Sequence, residues 1–238
     1  MKIATLPLVL ALVLAAIAGA TGFGYRFGFW ELRVAFQILR WSLYVGLFVA
    51  ALAVIALLIP RIRSGHVPGL IAALLISAGV AYFPWNWFQS AHAFPAINDI
   101  TTDTENPPAF VVVVPLRAGS SVSATYPGSE TAAKQRGGYP DIKPLQLAAP
   151  PAVAFARALD VAKSAGWEID ATDAGSGRIE ATAITPWFGF RDDIVIRITP
   201  AAAGSRVDVR SLSRIGEGDF GTNASRVRAF LAKMANAP

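Results

Sequence analysis

The pattern of hydrophobic and polar positions divides the chain into two parts. Residues 1–96 are almost entirely apolar and contain three runs of the length that a membrane helix needs, which is roughly 20 residues. These predicted transmembrane helices cover about residues 3–25, 41–59 and 68–88. Beyond residue 97, short segments with alternating apolar residues are separated by turn residues, which is typical of strands. We therefore predict a membrane region over residues 1–90 and a soluble domain over residues 97–238.

The soluble part predicts an α+β fold. Helical periodicity is present at residues 151–165 and 222–235, and between them lie four predicted strands, at residues 167–172, 178–185, 191–199 and 205–213. An antiparallel sheet packed against two helices on one face is a two-layer sandwich, similar to the helix-grip arrangement. We further predict a short strand at residues 110–114 and irregular structure over residues 117–140.

The first apolar segment has two interpretations. Lys2, the apolar core and Ala18-Gly19-Ala20 resemble a signal peptide with its cleavage site. The apolar run continues past Ala20 without a polar exit region, which favours a retained helix. If Lys2 starts in the cytoplasm, both interpretations place the soluble domain on the outer side. We expect an integral protein of the bacterial inner membrane with an extracytoplasmic domain.

The charges are distributed unevenly between the two parts. The chain carries 21 Lys and Arg against 16 Asp and Glu, a net charge of +5. All of this excess lies in residues 1–96, whose charged residues are Lys2, Arg26, Glu31, Arg33, Arg40, Arg61 and Arg63. Charges that flank apolar helices are typical of membrane proteins, so we predict the lipid bilayer as a partner and no nucleic acid.

The arginines of the membrane part suggest both a surface and an orientation. Arg26, Arg33 and Arg40 are spaced seven apart, so on one continuous helix they form a single stripe at the membrane interface. Arg61 and Arg63 lie in the turn between the second and third spans, and this compact basic turn is the better indicator of the cytoplasmic side.

The residue types exclude several kinds of chemistry. The chain has no Cys, and its two histidines, His66 and His92, lie in the membrane part. The soluble domain therefore lacks a thiol nucleophile, a His-ligated metal and a Ser-His-Asp triad of its own. Asp99, Asp103 and Glu105 form an acidic cluster, but their spacing matches no calcium loop. We expect no metal and no cofactor.

The predicted sheet has two unlike faces. Ile194, Ile196 and Ile198 point to one face, and the alternate positions carry charges on the other: Glu180, Asp193, Arg197, Asp208 and Arg210. Such charges decorate a solvated face unless residues 98–140 cover it, in which case Arg197 and Arg210 need anionic partners.

Two motifs that suggest chemistry have simpler explanations. Asp192 and Asp193 are adjacent on a strand and point to opposite faces, so they cannot form a catalytic dyad. Asp192 falls on the core side and needs a partner, for which Arg191, Arg210 and Arg214 are candidates. Residues 216–221 spell Gly-x-Gly-x-x-Gly, but no strand follows and Asp219 would repel a pyrophosphate. We predict instead that Asp219 caps the last helix.

A set of short motifs supports a family resemblance. The motifs are TDTENPP at residues 102–108, YPD at 139–141, IEAT at 179–182, FRDD at 190–193, DVRSLSRIG at 208–216 and DFGTNA at 219–224, with Arg226. Together they resemble the domain of unknown function (DUF) 1499 family over roughly residues 97–235. That family occurs in bacteria and photosynthetic eukaryotes, and the resemblance implies no established activity.

The leading functional hypothesis is a membrane-anchored envelope protein that binds a partner, lipid or small ligand without catalysis. The candidate surface, where a strand end meets a helix start, holds Arg210, Ser211, Ser213, Arg214, Asn223 and Arg226. These donors could bind an anion or tie Asp103, Asp192 and Asp219 into a structural network, and the network is favoured. Tyr139, Asp141 and Arg191 complete the set of candidate site residues.

Two further hypotheses belong to other classes. A hydrolase or transferase could use Asp103, Tyr139, Asp141, Asp192, Asp193 and Ser211, provided that at least two of them converge in a cleft. A scaffold subunit would instead pack its three spans into a larger complex, with a membrane or envelope protein as its partner.

Overall fold

A computed structural model describes residues 3–236 of the chain. It contains two compact units, one formed by the membrane part up to His92 together with Pro186–Gly189, and the other by Ala93–Thr185 and the chain from Phe190 onward. Lys2, on which the predicted orientation depends in part, lies outside the described residues.

The first unit is helical. After a short 3-10 turn, Ile3–Thr5, its helices are α1 (Leu6–Arg26), α2 (Leu32–Leu58), α3 (Pro60–Arg63) and α4 (Val67–Ala93). Among residues 3–236, three helices are long and apolar enough to cross a membrane, at Leu6–Arg26, Leu32–Leu58 and Val67–Ser90. The prediction of three apolar N-terminal helices is confirmed, and they indicate membrane association.

The chain turns sharply between α1 and α2. Gly28 has a φ of +76°, in the left-handed region that glycine adopts without strain. The amide of Phe29 donates to the carbonyl of Gly24 at 2.8 Å, which closes α1 in a Schellman motif. The prediction of one stripe through Arg26, Arg33 and Arg40 is therefore wrong, because the turn separates the first arginine from the other two.

Small residues allow the spans to pack closely. Ala11, Val49, Ala53 and Ala73 form a buried cluster. A Cβ added to Gly46 would lie 3.0 Å from the carbonyl oxygen of Ser77, so glycine lets α2 and α4 approach each other at this point.

The second unit is an open antiparallel sheet with helices. Its strands are β1 (Asp99–Thr101), β2 (Leu145–Leu147), β3 (Glu168–Asp173), β4 (Arg178–Ile184), β5 (Arg191–Ala201) and β6 (Gly204–Ser213). They follow the order β1-β6-β5-β4-β3, with β2 also pairing with β6. The helices are α5 (Val113–Leu116), α6 (Ser129–Gly138), α7 (Pro151–Ser164) and α8 (Thr222–Asn236). The predicted α+β fold is confirmed.

One face of this sheet carries the hydrophobic core. Ile194, Ile196 and Ile198 pack with side chains from both flanking helices, among them Ala158 of α7 and Phe230 of α8. Phe230 is 2% exposed. The alternation along β5 thus predicted this face correctly, together with the two helices that cover it.

Two predictions in the connecting region are wrong. Residues 110–114 form no strand, because α5 begins at Val113. The amides of this segment donate to the carboxylate of Glu180 at 2.9–3.1 Å instead of to a neighbouring strand. A tertiary contact therefore overrides the strand propensity of the valine run. Residues 117–140 are not irregular throughout either, since α6 lies within them.

Candidate functional site

The second face of the sheet is covered, so its charges are withdrawn from water. Residues 102–126, which we name the covering segment, place Phe110 and Val113 against Val195 and Leu212 of the sheet. Beneath it, the charged side chains that alternate with the core residues are at most 2% exposed: Glu180, Asp193, Asp208 and Arg210. Because this face is covered, Arg197 and Arg210 require anionic partners, as the sequence predicted for a covered face.

Arg210 is held by a carboxylate from the neighbouring strand. Its Nε and Nη2 donate to the two carboxylate oxygens of Asp99 at 2.9 and 2.8 Å, in a side-by-side pair. Further hydrogen bonds run to the carbonyl oxygens of Pro108 and Ala124. Burial raises the pKa of Asp99 although Arg210 opposes this shift. These contacts use four of the five N–H donors of the guanidinium, so Arg210 is bound within the domain.

Two aromatic rings of the covering segment complete the surroundings of Arg210. The guanidinium carbon lies 4.8 Å from the ring centroid of Phe110 and 5.4 Å from that of Tyr126. Burial raises the pKa of the Tyr126 hydroxyl to about 12, with the nearby charge of Asp99 adding to the shift. The tyrosine is therefore neutral at physiological pH and contributes packing and a cation–π contact.

Asp193 joins two arginines. Arg117, from the covering segment, donates to Asp193 Oδ2, and Arg214 Nη2 donates to Asp193 Oδ1 at 2.7 Å. The Thr182 hydroxyl lies 3.1 Å from the same carboxylate and 2.8 Å from that of Asp170, and its one proton serves one of the two. Because Arg117 is 6% exposed and Asp193 is fully buried, each needs the other to offset the cost of leaving water.

Glu180 fixes the backbone of the covering segment. Its carboxylate accepts the amides of Val111, Val112 and Val113, and Arg178 Nε lies 3.1 Å from its Oε1. Glu180 is fully buried. A charged group in this position orients three successive amides, which accounts for the non-extended backbone of a valine-rich run.

Asp103 and Asp208 form a further cluster with two arginines. Arg197 Nη2 lies 3.1 Å from Asp103 and 3.0 Å from Asp208, and Arg206 Nη2 lies 2.7 and 2.9 Å from the same two residues. Arg197 and Asp208 face each other on β5 and β6, so this pair is a cross-strand one. Arg210, by contrast, turns to Asp99.

The corner between β6 and α8 holds a second network, on the core side of the sheet. Arg226 Nη2 donates to Asp192 at 2.7 Å, and its Nη1 donates to the Ser211 hydroxyl at 3.0 Å. The Ser211 hydroxyl and the Ser213 hydroxyl both interact with the Asn223 amide, at 2.6 and 2.9 Å. Every member of this cluster thus has a partner within it.

The partner of Asp192 differs from those predicted. Arg226 pairs with it, whereas Arg191 lies 3.4 Å from Glu168 at the surface. The other two candidates, Arg210 and Arg214, point to the opposite face of the sheet. Alternation along a strand separates them from Asp192, as it separates Asp192 from Asp193.

Asp219 caps α8 as predicted. Its two carboxylate oxygens accept the amides of Gly221 and Asn223 at 2.9 and 2.6 Å. Burial raises the pKa of Asp219, while these amides act in the opposite direction. The glycine-rich motif therefore serves to begin a helix.

Tyr139 and Asp141 lie apart from both networks. Arg228 donates to both carboxylate oxygens of Asp141 at 2.6 and 2.7 Å, and its hydrogen bond lowers the pKa of Asp141. The same guanidinium lies 5.2 Å from the ring centroid of Tyr139. The twelve candidate residues are thus divided among the corner, the covered face, this surface pair and Arg191.

Sequence reasoning missed the buried partners and one surface. The sequence did not identify Asp99 as the partner of Arg210, nor Arg117 as a partner of Asp193. Arg117 directly follows the apolar run that covers the sheet. Among residues 3–236, no group of three acidic or histidine side chains is arranged to hold a metal ion. The arrangement therefore offers paired charges rather than open ligands.

The missed surface is a patch of aliphatic side chains on the outer side of the covering segment. We name it the valine patch; its members are Val111, Val112, Val114 and Leu116, which are 51%, 39%, 45% and 51% exposed. Phe110 and Val113 of the same segment point inward. A contiguous apolar surface of this kind marks an interaction site more often than scattered apolar residues do.

Comparison with known proteins identifies a family but no activity. The family model for DUF1499, described as a protein of unknown function, matches residues 99–234. No curated protein matches the chain.

Proposed function

Since the chain belongs to the DUF1499 family, for which no activity is described, we propose from its structure that it is a membrane-anchored, non-catalytic lipid-binding protein. The valine patch of the soluble domain binds the hydrocarbon part of membrane lipid. The observation that carries this proposal is the exposure of four neighbouring aliphatic side chains on a backbone held by a buried carboxylate.

The support of the patch is a reason to assign it a role. A buried carboxylate costs several kcal/mol unless it is paired and hydrogen-bonded. In this domain the carboxylate of Glu180 accepts hydrogen bonds from three backbone amides of the segment that carries the patch. The valines are therefore displayed on a fixed backbone, and fixed display reduces the entropy lost on binding.

The composition of the patch favours lipid over protein. Tightly bound protein interfaces depend mostly on Trp, Tyr and Arg, whereas Val and Leu are under-represented at their energetic centres. Aliphatic side chains suit a hydrocarbon ligand, because the hydrophobic effect depends on the apolar area buried and not on the direction of the contact. The linker from α4 to β1 covers only residues 94–98, so a short stretch of chain joins the domain to the last apolar helix.

The pairing of the carboxylates supports binding without catalysis. An acid–base mechanism needs a carboxylate that is free to reach a substrate. Instead, an arginine pairs with each of the candidate aspartates, which are Asp103, Asp141, Asp192 and Asp193. The hydroxyl of Ser211 donates to Asn223 at 2.6 Å.

An extracytoplasmic soluble domain is part of the proposal. Arg61 and Arg63 form the basic turn α3 between the second and third spans, which favours a cytoplasmic position for that turn. Because the chain has no Cys, single cysteines can be labelled without background. In intact spheroplasts, an impermeant maleimide should label Ser123→Cys and spare Ser64→Cys. The reverse pattern would place the domain in the cytoplasm.

The lipid contact is tested with an environment-sensitive fluorophore on the full chain in phosphatidylglycerol–phosphatidylcholine vesicles. The label is attached to Val112→Cys and, as a matched control, to Val153→Cys, a valine of α7 that is 49% exposed. We expect the label at position 112 to shift to the blue and to be quenched by brominated lipid. The label at position 153 should instead be quenched by aqueous iodide.

Two results would contradict the proposal. If iodide quenches both positions equally, the patch faces water. If the label at position 112 is shielded from iodide and is also not quenched by brominated lipid, the patch is covered by protein, and lipid is not its ligand.

A further inference from the structure

We infer that the groove between α1 and α2 is a binding site for one anionic phospholipid, with its acyl chain in the groove and its phosphate at Arg33 and Arg40. This site belongs to the first unit and does not depend on the valine patch. The groove has a volume of about 340 Å³ and is lined by Leu14 and Ile17 of α1 and by Val34, Ile38, Trp41 and Val45 of α2.

The interior of the groove is suited to a hydrocarbon chain. The side chains that line it are mostly aliphatic, and Trp41 is the aromatic one among them. Ser42 also reaches it, but its hydroxyl donates to the carbonyl of Ile38 at 2.8 Å and is thereby satisfied within the helix. A polar ligand would find few partners there, whereas an acyl chain needs none.

The length of α2 places its first turns at the level of the lipid headgroups. The helix has 27 residues, or roughly 40 Å, against a hydrocarbon core of about 30 Å. Its uncharged part, residues 41–58, spans about 27 Å and matches that core. Residues 32–40, which carry both arginines, therefore extend into the headgroup region, together with the end of the groove at Val34 and Ile38. The other end of the groove, at Ser42 and Val45, lies within the hydrocarbon core.

The polar residues of these turns lie on one side of the helix. Arg33, Gln37 and Arg40 are separated by four and three positions, and Trp41 and Tyr44 continue the same stripe. All five are exposed, and Gln37 also lines the groove. Arginines with interfacial aromatics beside an apolar groove match the two parts of a phospholipid.

The unpaired charges of Arg33 and Arg40 favour an anionic ligand. In the part of the chain that the structure describes, neither Arg33 nor Arg40 has an ion pair or a hydrogen bond from its side chain. Arg26 differs, since its Nη1 donates to the carbonyl of Pro186 at 2.5 Å. Two guanidiniums at headgroup depth are neutralised by a headgroup with a net negative charge more readily than by a zwitterionic one, whose ammonium group offsets its phosphate.

The test measures lipid retention on the full chain by native mass spectrometry. Detergent-purified protein is incubated with palmitoyl-oleoyl phosphatidylglycerol or with the phosphatidylcholine of the same chains. We expect one molecule of phosphatidylglycerol to be retained in preference to phosphatidylcholine. Arg33→Gln/Arg40→Gln should weaken this binding by roughly thirtyfold, with each arginine contributing about fivefold. Inorganic phosphate at the same concentration should not displace the lipid, because it lacks the chain.

A matched variant separates this site from general electrostatics. Arg61→Gln/Arg63→Gln removes the same charge from the first unit and should retain phosphatidylglycerol as the unchanged protein does. A groove variant, Val45→Trp, should block the chain while leaving both arginines in place. Circular dichroism of each variant verifies that it remains helical.

Three outcomes would overturn the site. They are equal retention of the two lipids, an equal loss in the Arg61/Arg63 variant, and unchanged binding in the Arg33/Arg40 variant. Displacement by inorganic phosphate would instead assign the arginines to free anions and remove the groove from the proposal.

Discussion

The two faces of the sheet in the second unit are both buried, but by different means. On one face Ile194, Ile196 and Ile198 lie under α7 and α8 and are excluded from water as aliphatic surface. On the other face Asp193 and Arg210 lie under the covering segment and are excluded from water as members of specific ion pairs. The alternation of a strand thus supplies one apolar interior and one in which paired charges lie beside a small apolar cluster.

The difference predicts how each face responds to change. Apolar burial is non-directional and scales with area, so losing one methyl group removes a small part of it. A buried charge depends on a specific partner, and removing that partner leaves the other charge uncompensated. Conservative substitutions at two positions of β5, one on each face, test this comparison directly.

The largest effect is expected on the charged face. Asp193→Asn keeps the shape of the side chain but removes the negative charge beside Arg117, which is 6% exposed. We expect the free energy of unfolding of the second unit to fall by about 3 kcal/mol, because a buried guanidinium loses its counter-ion. Hydrogen exchange of the β5 and β6 amides, measured on the full chain in nanodiscs, reports this value. A loss below about 1 kcal/mol would contradict the prediction and would mean that Arg117 and Arg214 do not depend on the charge of Asp193.

A smaller effect is expected on the apolar face. Ile196→Val removes one methylene group from a fully buried position and should lower the same free energy by about 1 kcal/mol. The same exchange measurement applies. If the two substitutions cost the same, the two faces do not differ in the way proposed here.

The smallest effect concerns Asp219, a buried carboxylate that is satisfied by amides instead of by an arginine. Burial raises its pKa above the usual 3.8. The folded state therefore holds this proton more strongly than the unfolded state. The resulting stabilisation is complete below the ordinary pKa and is lost as the pH rises through the raised value.

Asp219→Asn removes this dependence. The unfolding midpoint of the unchanged chain should decline more steeply than that of the variant as the pH is raised from 3.8 through the raised pKa. The other carboxylates are common to both proteins, so the difference between the two curves isolates Asp219. Parallel curves would show that its pKa is not raised.

The extent of successful prediction follows the range of the interactions. The apolar spans, the four central strands and the helices at residues 151–165 and 222–235 depend on periodicity along a few turns or pleats. Such patterns are visible in any window of the chain. The capping by Asp219 was also predictable, because the amides that donate to its carboxylate lie two and four residues away.

The failures depend on contacts between distant residues. The valine run of residues 110–114 has strand propensity, yet Glu180, nearly 70 residues away, takes its amides. Asp192 pairs with Arg226, 34 positions along the chain, and Arg210 pairs with Asp99, 111 positions away. Nothing in the local sequence distinguishes these partners from other arginines and carboxylates.

By itself, the sequence determined that the chain has three apolar helices followed by an α+β domain, and which face of its sheet is apolar. Only the tertiary structure decided that the other face is covered, which arginine serves which carboxylate, and that four valine-patch side chains remain outside. The physical reason is that local periodicity determines which side chains form an apolar face, whereas a buried charge is stabilised only by a partner that folding brings to it.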